Sequence, residues 1–356
     1  MQLCLYHPEY GYYMQPLERT GVGGDYFTSA DLHPVFARLV ARQAAEMWEL
    51  LGRPSRFTWV EMGPGRGLFA GDFLRWTVRA FPDFHAALDY VAVEPALLRR
   101  QQLLEKALDS QLRVISSLEK IEPVTGCFFS NELVDAFPVS VVTRSEGRLK
   151  EAYVAAEGNA LQEKLGPISD PAVAAAVARY ANQLREGHRV EVCLTASRWI
   201  RSVAEKLARG FVITIDYGDL ASRLNTPDRP RGTLLAYHHH TTSESFFTAP
   251  GEQDLTAHVN FSALMDAGQE AGLGFSGFTT QEKFLMALGE PSRFSELYDE
   301  GQSEAERIQA RLNLKRLIFP GELEGPAGMG AIFKVLIQHR GVKSPKLTGL
   351  AFEKAR

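Results

Sequence analysis

The sequence predicts an α/β protein built on a doubly wound, mostly parallel sheet, and three observations carry that prediction. Short apolar runs recur along the chain, each followed by a stretch of helical periodicity. Each run stops in a glycine, an acid or another polar residue, as buried strands do at the carboxyl edge of a parallel sheet. The composition, 356 residues with 45% hydrophobic and 23% charged, 30 Gly and 18 Pro, is that of an ordinary folded chain able to bury a full core.

The elements follow in order. An aromatic, glycine-rich loop, GYYMQPLERTGVGGDYFTS, precedes an amphipathic stretch from Val35 to Leu51 that reads as a helix. FTWVEM, Phe57 to Met62, is an apolar run that stops at GPGRG, and LFAGDFLRWTVRAF after it has helical periodicity: strand, tight loop, helix. DYVAVEP, ending at Glu94 and Pro95, followed by ALLRRQQLLEKAL, repeats the unit. CFFSNELVDAFP and GFVITIDYG supply two more buried strands. Between them, SVVTRSEGRLKEAYVAAEG alternates apolar and polar residues around Gly147, which predicts an antiparallel hairpin. PAVAAAVARYANQL, ASRWIRSVAEKLA, FSALMDAGQEAGL, TQEKFLMALG and SEAERIQARLNLKRLI read as helices, and GAIFKVLIQ as a last strand. We expect a loop and helix over residues 1–50 covering the active site, and one elaborated domain over 51–356 with insertions around 139–190 and 220–320.

Several function classes are excluded. With 39 basic and 43 acidic residues, a net charge of −4 and no basic cluster, the chain lacks the electrostatic footprint of a nucleic-acid binder. Cys4, Cys127 and Cys193 are odd in number and far apart, which argues against a disulfide framework or a cysteine-built zinc site. The start carries no signal-peptide pattern and no stretch reaches the roughly 18 apolar residues of a membrane span, so a cytoplasmic location is expected. P-loop, nucleophile-elbow and zincin motifs are absent.

Three constellations remain. Glu61-Met62-Gly63-Pro64-Gly65-Arg66-Gly67 stands at a strand-to-helix junction, where glycines let backbone approach a ligand and the next helix offers unpaired N–H groups. The dinucleotide fingerprint is not met, because Leu68 occupies its last small-residue position, whereas G-x-G-x-G after an acid is the pattern of doubly wound S-adenosylmethionine (SAM) enzymes. Glu61 would organise the loop or receive the cofactor's ammonium. Glu94, one unit later, is placed to accept hydrogen bonds from two ribose hydroxyls. In Ser130-Asn131-Glu132-Leu133-Val134-Asp135, a helical turn capped by Ser130 or Asn131 would put Glu132 and Asp135 on one face, a pair of anions matched to a guanidinium. An acidic helix start that binds nothing is the plainer reading of the same residues.

CLYHPEYGYY, GGDYFTSADL, VEMGPGRG, VEPALLRRQQ, SNELVDAFPV, ITIDYG, GTLLAY with His240 beyond it, DLTAHVNF, TQEKFL and GAIFKVL, in this order through nearly the whole chain, resemble the MidA family of SAM-dependent methyltransferases. These are bacterial relatives of the mitochondrial complex I assembly-factor methyltransferase. The resemblance implies a class I methyltransferase fold with a seven-stranded sheet, an N-terminal lid and inserted substrate-binding elements, SAM as cofactor, and methyl transfer to an arginine of a protein such as a complex I-type subunit. Carried over residue by residue, it implies Gly63, Gly65 and Gly67 for SAM, Glu94 for its ribose, and Glu132 with Asp135 as the catalytic carboxylates near the accepting group. Thr28 and Ser29 would cover the cofactor, with Glu61 and Asn131 also on its side.

Asp216, Tyr217, His240 and His258 are expected to line the substrate cleft. No metal is expected at His238-His239-His240, because consecutive strand residues point to opposite faces. The chain departs from the family pattern at Ala30-Asp31-Leu32-His33, at Phe36-Ala37-Arg38 and at Asn260, where a carboxylate is usual, and it begins almost at its first motif, so that part of the lid is expected to be missing or the start to be late. Alternatives left open are a non-catalytic, chaperone-like SAM binder of the same fold and a methyltransferase acting on a small molecule; a homodimer is compatible with either.

Overall fold

Each apolar run becomes a strand and each periodic stretch a helix. The computed structural model describes residues 1–15, 28–106, 109–158, 160–238, 241–319 and 329–352. In chain order the strands are β1 (Phe57–Met62), β2 (Leu88–Val93), β3 (Leu112–Ile115), β4 (Val124–Asn131), β5 (Ser140–Ser145), β6 (Arg148–Glu157), β7 (Ala160–Gly166), β8 (Arg189–Val192), β9 (Leu207–Asp219), β10 (Leu235–His238), β11 (Thr241–Ser243), β12 (Asp254–Thr256), β13 (Val259–Asn260), β14 (Gly274–Thr280) and β15 (Phe333–Arg340). The described residues form two compact units, one from the stretches 27–132, 202–216 and 271–356, the other from 1–26, 133–201 and 217–270.

The first of these units carries the main sheet, in the order β14-β15-β9-β4-β1-β2-β3. β1 pairs in parallel with β2 and β4, β2 with β3, and β4 with β9, while β14 runs antiparallel to β15. Chain order runs outward from β1 to β3 on one side and from β4 to β9 on the other, so the sheet changes direction between β1 and β4. Ligands of open α/β sheets bind at that crevice, beyond the carboxyl ends of the strands. It is the class I methyltransferase fold.

An aromatic stack holds the crevice floor. Trp59 of β1 lies with ring centroids 4.8 Å from Phe73 and 5.2 Å from Phe129, and Phe69 stacks on Phe129 at 4.5 Å. Each such pair adds about 0.5–1.5 kcal/mol beyond area burial. Phe69 and Phe73 sit one turn apart on the helix Leu68–Ala80, so the stack fixes where that helix begins, and hence where the loop before it stands. The helix Val35–Leu50 buries Val35, Phe36, Leu39 and Val40 along its apolar stripe, as its periodicity predicts.

The other unit holds a four-stranded antiparallel sheet, β7-β6-β5-β8, and a three-stranded one, β11-β10-β12. The predicted hairpin is β5 and β6, turning through Glu146 and Gly147 at φ 56° and 74°, the left-handed pair that a tight hairpin requires. β7 and β8 extend it on either side. The helix Pro171–Tyr180 starts with Pro at its first position and Asp170 capping the amide of Ala172, and it buries Val173 and Val177 in a cluster with Val142, Val190 and Val192. Among the described residues no helix is long and apolar enough to cross a membrane.

One expectation fails. Residues 131–135 form no helical turn: β4 runs to Asn131, and Glu132 takes φ 52°, a left-handed backbone that breaks any helix at its first residue. Glu132 and Asp135 therefore do not share a helical face.

The close packing of the central strands generates a prediction. A Cβ on Gly126 of β4 would lie 1.9 Å from the carbonyl oxygen of Thr58 on β1, with backbone atoms that cannot give way. Gly126→Ala is expected to lower the unfolding free energy by at least about 2 kcal/mol in urea titration. A loss under about 0.5 kcal/mol would show that the strands can part at no cost.

Candidate functional site

The parallel sheet brings Glu61, the loop from Gly63 to Gly67, Glu94, Ser130, Asn131 and Glu132 to its carboxyl edge, all within one unit. Gly63, Gly65 and Gly67 have φ of 71°, 52° and 75°, and Gly67 caps the helix that follows. The space above the loop is open at its middle: a Cβ on Gly65 would meet nothing within 4 Å. Gly63 donates to the carbonyl of Val93, which ties the loop to the end of β2 where Glu94 follows.

Glu61 is 4% exposed and its Oε2 accepts from the Tyr90 hydroxyl at 2.7 Å. Burial pushes its carboxyl up to about 7, against the lowering effect of the Tyr90 bond. Its Oε1 accepts from no donor among the described residues. Glu94, also 4% exposed, accepts from the Ala96 amide on Oε1 at 2.8 Å, and burial raises its carboxyl too, against that bond and the charges of Arg99 and Arg100. Its Oε2 is left without a donor among the described residues. The Ser130 hydroxyl and the Asn131 side-chain carbonyl are buried without a hydrogen-bond partner among the described residues. Buried polar atoms in that state are costly, and a bound ligand is one reason they persist.

Glu132 is held rather than loose. Its Oε1 accepts from the Ser29 amide at 3.0 Å and from Asn131 Nδ2 at 2.9 Å. Ser29 opens the short helical turn Ser29–Leu32, which has a capping box between Thr28 and Asp31. Asp31 also takes Arg66 of the glycine loop as an ion-pair partner. The side chains of Thr28 and Ser29 are used inside the protein, Thr28 Oγ1 on Asp31 and Ser29 Oγ on Gln281, so it is the Ser29 backbone that reaches the site.

In the other unit, Asp135 is 5% exposed and accepts from the Tyr217 hydroxyl; burial pushes its carboxyl up to about 6, against that bond. The Tyr217 ring meets His258 edge-on, with centroids 5.5 Å apart. Thus Asp135, Tyr217 and His258, three of the residues singled out in the sequence, come together. Asp216, fully buried on β9, ends the main-sheet unit's share of that strand. His240 lies outside the described residues. Sequence reasoning missed Tyr90 and the Arg66–Asp31 link. An inward-facing tyrosine on β2 reads as core, and Arg66 as a variable position between glycines; only the partners reveal either.

A family model described as "Putative S-adenosyl-L-methionine-dependent methyltransferase" matches residues 39–279. The mitochondrial protein arginine methyltransferase NDUFAF7 of Xenopus tropicalis is 28% identical over 338 residues, 87% of this chain and 75% of that protein. Its Drosophila melanogaster homologue is 26% identical over 375 residues, 98% and 82%. Among solved structures, a Burkholderia thailandensis protein bound to S-adenosyl-homocysteine superposes with a TM-score of 0.86 at 29% identity, covering 98% of this chain and 88% of that one. The acceptor oxygens left open on Glu61, Glu94 and Asn131, beside open space at Gly65, suit a ligand with an ammonium and a ribose.

The Glu61 environment predicts a pH effect. Its carboxyl favours folding while protonated, so that contribution is complete below the ordinary value of 4.5 and is lost as pH rises through about 7. In the ligand-free protein, unfolding free energy measured at pH 5 and pH 8 should fall by on the order of 2 to 3 kcal/mol less in Glu61→Gln than in the parent chain. Parallel pH curves would mean that Glu61 is ionised throughout.

Proposed function

The chain belongs to the MidA family of SAM-dependent methyltransferases, and from that premise we propose that its methyl acceptor is the guanidinium of an arginine in a protein, received by Glu132 and Asp135. The observation that carries this reading is the pair of carboxylates after β4, three residues apart, each already fixed by protein donors. A carboxylate held by protein donors matches the planar, five-donor fork of a guanidinium, and each of the two units offers one. The relatives named as protein arginine methyltransferases support the same acceptor, and the resemblance to the mitochondrial complex I assembly-factor enzyme makes a complex I-type subunit the first protein to try.

On this reading Glu94 Oε2 would hold the ribose, Glu61 Oε1 and Asn131 Oδ1 the ammonium, and the amides at the start of the helix Leu68–Ala80 the carboxylate. When bound, SAM supplies an electrophilic methyl on a sulfonium whose positive charge is lost on transfer. The protein's task is then alignment and exclusion of water. Asp135, fixed by Tyr217, orients the guanidinium. Glu132, fixed by Ser29 and Asn131, takes the proton that the nitrogen sheds once it has gained a carbon. Asp135 must be ionised to hold a cation, so its acceptor affinity falls as pH drops through about 6.

Glu132→Gln should keep SAM affinity within about threefold by calorimetry and lower turnover roughly 10²–10⁴-fold. Turnover is read as tritium from methyl-labelled SAM recovered in methylarginine after acid hydrolysis of labelled protein. Label in another residue or in small molecules would overturn the arginine assignment, and unchanged turnover would remove Glu132 from the chemistry.

A further inference from the structure

The unit that holds Asp135 and Tyr217 also holds a cleft that methyl transfer alone does not explain. It is a small cleft open to solvent, and its walls include Val134, Val177, Val190, Val192, His258 and Asn260. Val177, Val190 and Val192 belong to the unit's buried aliphatic cluster, so the cleft opens onto core rather than onto a polar surface. Aliphatic walls without partner atoms forfeit dispersion contacts that an apolar occupant would restore. None of its lining residues belongs to the glycine loop, β1 or β2.

Two features tie the cleft to the acceptor residues. Val134 immediately precedes Asp135, and His258 packs edge-on against Tyr217, whose hydroxyl holds Asp135. Its polar rim is built rather than incidental. Glu191 accepts from the Thr233 amide at 2.9 Å, from Thr233 Oγ1 at 2.9 Å and from the Leu234 amide at 3.2 Å. Thr233 Oγ1 in turn accepts from the His258 amide at 3.1 Å. Glu191 is thereby held in place by neutral donors of its own unit. Asn260 accepts from the Ala263 amide on Oδ1 at 3.1 Å, which turns Nδ2 out as a donor with no acceptor among the described residues. An aliphatic recess whose rim carries the Asn260 amide donor, beside Tyr180, Ser197 and Glu191, can take an aliphatic residue of a polypeptide: side chain inward, carbonyl to the donor.

We propose that this cleft receives an aliphatic side chain lying within two residues of the methylated arginine, with Asn260 Nδ2 donating to a carbonyl of the same segment. The inference rests on the reading of Asp135 and Tyr217 as acceptor-binding residues, and it narrows the substrate class to arginine in an aliphatic context.

The test uses the full chain and synthetic peptides with one arginine in a Gly-Ser frame, with Leu placed in turn at each of the two positions on either side. At one position or more, Leu should raise kcat/KM at least tenfold over the all-Gly-Ser frame, mainly through KM. Ala263→Phe and Ala176→Leu, which add bulk to the cleft lining, should bring that ratio to within twofold of one, in variants whose melting curves show a folded chain. If neither variant folds, the peptide series on the parent chain decides: equal kcat/KM for Leu and Gly-Ser peptides overturns the proposal. Binding of the same peptides, read by fluorescence anisotropy with S-adenosylhomocysteine present, separates the two readings. Leu-dependent binding with methyl found elsewhere than on arginine sinks the arginine assignment and keeps the cleft. Equal binding with efficient arginine methylation sinks the cleft and keeps the arginine.

Discussion

A carboxylate taken out of water costs several kcal/mol unless donors replace its hydration, and this chain buries three of them where strands end. Glu61 is the penultimate residue of β1, Glu94 directly follows β2, and Asp135 stands four residues beyond β4. Each receives a deliberate donor, respectively the Tyr90 hydroxyl, the Ala96 amide and the Tyr217 hydroxyl. Those donors do not suffice, since all three carboxyls stay above their ordinary range. The deficit is what a cationic or hydroxyl-bearing ligand can supply. Folding stability is spent on keeping one oxygen each of Glu61 and Glu94 open, which is the usual relation between a strained site and the scaffold that over-determines it.

That scaffold works because the sheet leaves no slack beneath the site. Thr58, Gly126 and Gly210 lie in register across β1, β4 and β9. At Gly126 and Gly210 an added Cβ would run into the neighbouring strand's backbone at 1.9 Å. On one face the Trp59, Phe69, Phe73 and Phe129 rings fill the space between β1, β4 and the helix Leu68–Ala80. The loop from Gly63 to Gly67 is therefore suspended between two rigid elements only a few residues apart. Its left-handed turns are imposed by those end points, and glycine is the residue that can follow them cheaply.

The parts of this architecture that sequence makes legible are those with a strong period and a sharp stop. FTWVEM-GPGRG and DYVAVEP end where solvent-facing chemistry begins, and β1 and β2 occupy those runs with errors of a residue or two. The failures have physical causes. At SNELVDAF, local propensity favours a capped helical turn, but β4 keeps its pairing through Asn131 opposite Ile215 of β9, and Glu132 must turn left-handed to leave the sheet. β14, GFSGFTT, carries two glycines and no aliphatic residue, so its two Phe and two Thr leave only a weak strand signal that pairing with β15 completes. Tyr90 reads as core until Glu61 is found beneath its hydroxyl, because a hydrogen bond between neighbouring strands leaves no pattern in either strand alone.

The two carboxylates after β4 differ in what holds them, and this difference argues for different work. Asp135 accepts from a phenol, the Tyr217 hydroxyl, and from the backbone amides of Asp135 and Ala136. Glu132 depends on two N–H groups, one from β4 itself and one from Ser29. Behind Ser29, the capping box joins Thr28 to Asp31, and Asp31 pairs with Arg66 between the last two glycines of the loop. Loop, ion pair, helical turn and carboxylate thus form one continuous hydrogen-bonded path inside a single unit. A ligand that orders the glycine loop acts on Arg66, and through Asp31 it bears on the amide that orients Glu132. On the proposed reading that path would link cofactor binding to acceptor orientation: a weakened Asp31–Arg66 pair would leave the strands and the aromatic floor intact while loosening the carboxylate that sheet geometry alone does not fix.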